Sequence, residues 1–296
     1  MLSNPFTSEF LSQLEALRLR TRKEFLGSNT GSYSSPRRGT SLEFADYRRY
    51  TPGDDLRYID WGIYARSDRL FVKVFRQEVD LFAYVFVDAS ASMAFPSREE
   101  KFLPASHVAL ALAYVILANQ DHVKLHLLQN GSGRASQFYR GRRRMRDCVE
   151  FTSSALPGGK LELSSSLGEH LKRLRRPGKA ILISDFLMPA ASYQQGLNLL
   201  RAFNLDIVAI QVMSRYEVDP PFPNGSIALI DSENQNEVKQ QWNTKARRDY
   251  QSKLAHHNLE IRSFCHQSGI HYSFYVTDRD LGEFVFATLP AIGLFK

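Results

Sequence analysis

Cysteine is scarce in this chain: there are two in 296 residues, Cys148 and Cys265. They lie far apart, in segments that read as helical. That excludes a disulfide framework and a cysteine-built zinc site. Long apolar runs are also missing. A membrane span needs about 18 or more consecutive apolar residues. The best stretch here, ALALAYVILA from Ala109 to Ala118, is too short. The start, MLSNPFTSEF, has no basic segment followed by an apolar one, so it does not read as a secretory signal. A reducing, cytoplasmic location is expected.

Catalytic signatures are missing as well. There is no G-x-x-x-x-G-K-[ST], so no phosphate-binding loop of that type. There is no G-x-S-x-G nucleophile elbow. The eight histidines form no H-E-x-x-H, and His256-His257 sits on a helix where neighbours face about 100° apart. No internal repeat and no tract of a single residue type occurs.

What is present is a chain rich enough in apolar residues, at 43%, to bury a sizeable core. Lysine plus arginine total 38 against 31 acidic residues, a net charge of +7. The positive charge is clustered at Arg37-Arg38, Arg48-Arg49, Arg140 to Arg146, Lys172 to Lys179 and Lys245 to Arg248. Such clusters form solvated faces, nucleic-acid footprints or docking sites for acidic proteins.

Residues 5 to 26 have apolar positions near a helical period, and Gly27 to Gly39 reads as a flexible connection. From Thr40 to Glu78 the chain is charged, aromatic and irregular, with a turn at Thr51-Pro-Gly-Asp-Asp55. Leu70 to Phe75 reads as an edge or antiparallel strand. After residue 80, strands and helices alternate. The expected strands are Leu81 to Val87, Val123 to Leu128, Ala180 to Ser184, Asp206 to Met213 and Ile270 to Val276, with Ala135 to Tyr139 as a short edge. The expected helices end at Asn119, cover Arg142 to Ser154, begin near Ser166 with a capping box to Glu169, and cover Tyr193 to Phe203, Thr244 to Ser268 and Leu281 to Leu289. Ile227 to Ile230 and Glu237 to Gln241 flank a polar hairpin tip. The expectation is one domain from 80 to 296 with an insertion at about 214–243, preceded by a helix and arm over 1–79.

Alternating strands and helices imply an open, mostly parallel sheet with helices on both faces. In such sheets ligands bind beyond the carboxyl ends of the strands, at the switch point. The first core strand ends in Asp88-Ala-Ser90-Ala-Ser92. This D-x-S-x-S spacing puts a carboxylate and two hydroxyls on alternate residues of an extended loop, on one side. Those are hard oxygen ligands of the kind magnesium or manganese takes. The third strand ends in Ser184-Asp185. If the two strands are neighbours, Asp185 arrives beside Asp88.

This pattern resembles the metal-ion-dependent adhesion site of von Willebrand factor A-type domains. The resemblance implies an open six-stranded sheet and a cation held by Asp88, Ser90 and Ser92, with Asp185 direct or through water. A partner's carboxylate would complete the shell. The family adds a threonine after two glycines; here Pro157-Gly-Gly puts Lys160 or Leu161 in that place. Ser164 is either a substitute ligand or, the preferred reading, part of the start of the next helix, and Lys160 is placed to put its ammonium where a metal would sit. The same Asp and Ser residues could equally cap helices and satisfy loop amides.

Residues 39 to 78 closely resemble the signature of domain-of-unknown-function family 58. The matching residues are Gly39, Glu43-Phe44, Arg48, Tyr50, Pro52-Gly53-Asp54-Asp55, Arg57, Ile59-Asp60-Trp61, Ala65-Arg66 and Glu78. The resemblance covers about residues 37 to 290. It implies a bacterial protein, cytoplasmic or membrane-linked, that works with a MoxR-type AAA+ ATPase in chaperone-like maturation of other proteins. Physically, the interleaved arginines and carboxylates of this arm can hold a segment through forked ion pairs. Arg48, Asp54, Asp55, Arg57, Asp60, Trp61 and Arg66 form either a scaffold or a partner-binding surface. Arg142, Arg143 and Arg144 are placed at the rim of the site, where positive charge steers an acidic protein surface.

The leading reading is a non-enzymatic protein-binding adaptor. A dehalogenase-type phosphatase also has an aspartate after its first strand, but its acid/base position falls on Ser90, which cannot do that work. The alternatives are nucleic-acid binding through the 140–146 arginines, which has little aromatic interleaving, and a metal-dependent hydrolase in the same crevice.

Overall fold

The computed structural model describes residues 5–20, 42–77, 80–130, 133–172, 174, 176–230 and 237–295; of 42–45, 74–77 and 230 the backbone alone is described. The connection expected at Gly27 to Gly39 and the hairpin tip Asp231 to Asn236 lie outside these residues. So do Arg37, Arg38 and Glu78. The chain divides into two compact units, one of residues 1–24 with 81–296 and one of residues 25–80.

The larger unit begins with α1 (Ser8–Glu15), shorter than the expected helix. It belongs with the sheet-bearing unit rather than with the arm. Tyr114 Oη donates to Glu15 at 2.8 Å, and Asn119 donates to the Leu17 carbonyl at 2.8 Å.

The smaller unit is more regular than its charged, aromatic sequence suggests. Strands β1 (Leu42–Arg49) and β2 (Phe71–Gln77) pair antiparallel, with an irregularity between Phe44 and Asp46. Between them come a 3-10 turn (Leu56–Tyr58) and the helix α2 (Trp61–Ser67). The carboxylates are what make this local structure. Asp55 and Asp60 start the turn and the helix by accepting backbone N–H groups that have no partner within the helix. A two-stranded pair is marginal alone, and the forked ion pairs supply cross-links.

The sheet of the larger unit is built from β3 (Phe82–Asp88), β4 (His122–Leu128), the two-residue segments β5 (Arg134–Ala135) and β6 (Tyr139–Arg140), β7 (Lys179–Ser184), β8 (Asp206–Met213) and, later in the chain, a strand over His271–Val276. Strand β3 pairs in parallel with both β4 and β7, and β7 pairs in parallel with β8. The last strand extends the parallel set beyond β8. The short segments β5 and β6 both run antiparallel to β4. The expected edge strand is thus split in two, with Ser136 turned inward between the halves, its hydroxyl accepting from the Leu125 amide and donating to the Gln137 carbonyl. Five parallel strands and an antiparallel margin make one open sheet.

Alternate residues of each strand feed two separate cores. Ala83, Val85, Val87, Ile181, Ile183, Val208 and Ile210 face one way and pack on α3 (Phe102–Ala118). Tyr84, Phe86, Ala180, Leu182, Ile207 and Ala209 face the other way. They meet α5 (Leu163–Leu171), which follows α4 (Met145–Ser153), and α6 (Ala190–Ala202). The apolar run Ala109 to Ala118 is the C-terminal part of α3, a helix apolar all round because it is buried all round. Among the described residues no helix is long and apolar enough to cross a membrane.

The helix expected to begin near Ser166 begins at Leu163 instead. Glu162 caps it, accepting from the Ser165 amide at 2.7 Å, and no capping box runs from Ser166 to Glu169. After β8 comes the short α7 (Arg215–Val218). The hairpin of β9 (Gly225–Ile230) and β10 (Glu237–Trp242) follows, then α8 (Thr244–Gln267) and the last strand, β11 (His271–Val276). The chain closes with α9 (Leu281–Glu283), a π-helical turn over Phe284–Thr288, and α10 (Leu289–Ala291).

Candidate functional site

Strands β3 and β7 are neighbours in the sheet but far apart in sequence, so the topology switches direction between them. Beyond their carboxyl ends, the side chains of the two strands and the loops that follow converge. Asp88 is the last residue of β3, and Ser184 is the last of β7. Ser184 Oγ donates to Asp88 Oδ2 at 2.6 Å. The Ser90 amide and hydroxyl donate to Asp88 Oδ1 at 2.9 and 2.7 Å. Ser90 Oγ lies 3.0 Å from Ser92 Oγ. Asp88, Ser90, Ser184 and Asp185 are all buried, and Ser92 is half-buried.

The residue that organises the other half of this cluster is Lys101, which no sequence pattern singles out. It is the N-cap of α3, and its side chain is 0% exposed. Lys101 Nζ donates to Asp185 Oδ2 at 2.7 Å, to Glu217 Oε1 at 2.5 Å and to the Ser92 carbonyl at 3.1 Å. A cation at a helix N-terminus opposes the helix dipole, so these oxygens must hold it there. Asp185 Oδ1 accepts from the Leu187 amide at 3.0 Å. Glu217 Oε2 accepts from the Ser214 amide and hydroxyl at 2.8 and 3.0 Å, as part of a capping box that starts α7. The one signal for Glu217 in the sequence is this Ser-x-x-Glu spacing after a buried strand.

A further layer fixes the backbone. Gln211 Nε2 donates to the Asp185 carbonyl at 3.0 Å, and Tyr272 Oη donates to Gln211 Oε1 at 2.6 Å. His257 Nε2 donates to the Phe186 carbonyl at 2.8 Å. Phe186 itself has a φ of 53°, a left-handed conformation that non-glycine residues adopt at a cost, and it is fully buried.

The electrostatics follow from burial and pairing. Burial, with the Asp185 charge adding to it, pushes the Asp88 carboxyl up to about 6, against the opposing hydrogen bonds of Ser184 and Ser90. Burial would push Asp185 up too, but the Lys101 charge and hydrogen bond hold it below the usual carboxylate range. Burial also raises Glu217, with Lys101 only partly opposing. Burial works against the Lys101 ammonium, and Asp185 and Glu217 outweigh it. The stable description is an ionised Lys101–Asp185 pair with Glu217 as its second acceptor.

The sequence-derived site residues divide accordingly. Asp88, Ser90, Ser92 and Asp185 are brought together. Ser164 is not joined to them; its hydroxyl donates to Glu162 Oε1 at 2.7 Å, at the start of α5. Lys160 is exposed and Leu161 is core. The ammonium in the site therefore comes from Lys101 and not from Lys160. By donor type the cluster suits magnesium or manganese. By arrangement it does not, because both Asp88 oxygens and both Asp185 oxygens are already engaged by protein donors, and one of those donors is a cation. Among the described residues no group of three or more His, Cys, Asp and Glu is placed to hold a metal ion.

The arm residues form their own network. Arg48 grips Asp54 with two bonds of 2.7 Å, and Arg57 pairs with Asp55 at 2.5 Å. Asp60 accepts the Gly62 and Ile63 amides, the Tyr47 hydroxyl at 3.0 Å and Lys73 at 3.1 Å. The Ile63 amide first, then Lys73 and Tyr47, bring its carboxyl down to about 2. Arg66 donates to the Gly62 carbonyl, and Trp61 is 61% exposed. In the larger unit, Arg142 pairs with Glu15 at 2.9 Å, and Arg144 pairs with Asp147 and lies over Tyr139. Arg143 is exposed.

A family model described as protein of unknown function DUF58 matches residues 46–260. Uncharacterized proteins of Mycobacterium bovis and Mycobacterium tuberculosis are 27% identical over 274 residues, covering 90% of this chain and 84% of theirs. Among solved structures, the conserved hypothetical protein BatB from Bacteroides thetaiotaomicron is 11% identical, with a TM-score of 0.42 over 72% of this chain and 98% of that one. The SpRpn10 VWA domain is 10% identical, with a TM-score of 0.42 over 72% of this chain and 96% of that one.

Proposed function

The chain belongs to the family of proteins of unknown function DUF58, and from that premise we propose that it is a non-enzymatic adaptor that docks a MoxR-type AAA+ ATPase during maturation of other proteins. The observation that carries this reading is the contrast between the floor and the rim of the switch-point site. The floor offers no reacting group: Asp88, Ser90, Lys101 and Asp185 are buried and satisfied by one another. A hydrolase needs an accessible nucleophile or base within hydrogen-bond reach of its substrate.

The rim is different. The segments that follow three of the parallel strands expose a large apolar residue: Phe95 after β3, Leu187 after β7 and Tyr216, in α7, after β8. Leu156 is 78% exposed in the loop that Gln129, just past β4, holds by its Leu156 and Gly158 carbonyls. Gly158 and Gly159 tie that loop to the D-x-S-x-S segment through the Ala89 carbonyl and the Ala91 amide. Apolar residues held on rigid, hydrogen-bonded loops are what a protein interface uses as anchors.

The test is a pull-down of the MoxR-type ATPase of the same organism with wild-type chain, Leu156→Asp and Leu187→Asp. Loss of recovery by about tenfold or more in either variant is expected, since a central anchor carries about 2 kcal/mol or more. Undiminished recovery from both variants would remove the rim from partner binding. Co-purification of nucleic acid that salt readily strips would point to the arginine cluster instead.

A further inference from the structure

We propose that Lys101 is the resident cation of the switch-point site, so that the chain neither needs nor takes a divalent metal there. An ammonium has three N–H donors and no acceptor. All three are used, by Asp185 Oδ2, Glu217 Oε1 and the Ser92 carbonyl. Those three oxygens come from three separate places in the chain: the loop after β7, the helix after β8 and the D-x-S-x-S segment. Oxygen donors converging on one buried point from several loops are what a hard cation requires. Here the point is filled by a charge tethered to α3.

Three further observations fit. Lys101 is 0% exposed, although buried lysines are rare without dedicated counter-charges. It sits where the α3 dipole disfavours a cation, so it is held by the site and not by its helix. Glu217 supplies a second counter-charge to the same ammonium. It is oriented by Ser214, whose amide and hydroxyl occupy its other oxygen.

The arrangement changes what a partner can do. A metal with an open coordination position accepts a partner's carboxylate. A buried ammonium with no spare donor cannot, so a partner must be recognised by the rim around the site. A tethered cation also cannot be removed by chelation or exchanged. This inference does not depend on which protein binds the rim.

The experiment uses the purified full chain, treated with EDTA and dialysed, in three forms: wild type, Lys101→Ala, and Lys101→Ala with Asp185→Asn. Mn2+ binding is read by paramagnetic titration of free ion, and melting temperature is read with EDTA and with Mn2+. The expected result is no Mn2+ bound by wild type and the same melting temperature in EDTA and Mn2+. Lys101→Ala should take up about one Mn2+ per chain in the space the ammonium leaves, and melt higher with the ion than without it. The double variant should lose that binding. Stoichiometric Mn2+ on the wild type, abolished by Asp88→Asn, would overturn the proposal. A folded Lys101→Ala that binds no Mn2+ would overturn it as well, leaving Lys101 as a buried ion pair only. If Lys101→Ala does not fold, the wild-type titration decides alone. ATPase recovery is not read in this experiment, so it and the rim assignment fail separately.

Discussion

Lys101 shows how one side chain can set the character of a site. Its ammonium joins two carboxylates in an environment that penalises any unpaired charge. Replacing it by the uncharged, similarly sized methionine leaves Asp185 and Glu217 buried without their cation. Lys101→Met is expected to lower unfolding stability by about 3–5 kcal/mol in urea denaturation. A second residue-scale consequence concerns His126. Its ring is buried against Phe86, with Nδ1 3.1 Å from His170 Nδ1. Burial first, then the nearby His170 and Lys124 charges, hold it well below the ordinary histidine range, so it is neutral when folded. A pKa lowered on folding gives stability that is present above the unfolded value near 6.5 and lost as pH falls below it. Asp88, raised to about 6, works in the opposite direction, because the folded state takes up its proton first as pH falls. The comparison that isolates His126 is therefore the difference between wild type and His126→Phe. Wild type is expected to lose more stability than the variant between pH 7 and pH 5 in denaturant titrations.

At the scale of elements, close approach decides more than propensity. Helices α5 and α6 meet at Gly196, where a Cβ would lie 2.8 Å from both Cγ and Cδ2 of Leu163. Leu163 is fully buried at the first turn of α5, so it has little room to give. An alanine at 196 would ordinarily favour a helix, but here overpacking wins. Gly196→Ala is expected to destabilise by about 1–3 kcal/mol, read as a lower urea midpoint at an unchanged slope. The element boundaries have equally local causes. The Glu162 cap moves the start of α5 ahead of the Ser166 position that its sequence suggests. In the smaller unit, Asp55 and Asp60 build a turn and a helix out of a stretch whose charge pattern reads as irregular.

For the molecule as a whole, net charge misleads unless its partners are known. The +7 balance raises the prospect of nucleic acid. Yet Arg142 is tied to Glu15 and Arg144 to Asp147 and Tyr139, which leaves a broken stripe. Phosphate binding through many free arginines would fall steeply with salt. This chain is expected to retain no duplex DNA even at about 50 mM salt, measured by fluorescence anisotropy. Retention at about 50 mM salt that falls away by about 200 mM would reinstate the arginine cluster as a binding face. The apolar rim is the feature that the tertiary structure adds, because Phe95, Leu156, Leu187 and Tyr216 belong to four separate segments, three loops and the short helix α7, with no pattern in common.

The sequence by itself determined the architecture. Apolar runs of strand length alternating with helices lead to a parallel sheet covered on both faces, because both faces of such strands must be buried. It also placed Asp88, Ser90, Ser92 and Asp185 at one end of the sheet, since alternate residues after a strand point the same way. Only the tertiary structure decided what those residues do. The pairing of β3 with β7 brings Ser184 onto Asp88 across 96 positions, and the fold brings Glu217 to Lys101 across 116. No local period or spacing encodes such contacts. A lysine before an apolar helix reads as a solvated charge until the chain has closed around it, and only then does its ammonium become the cation of the site.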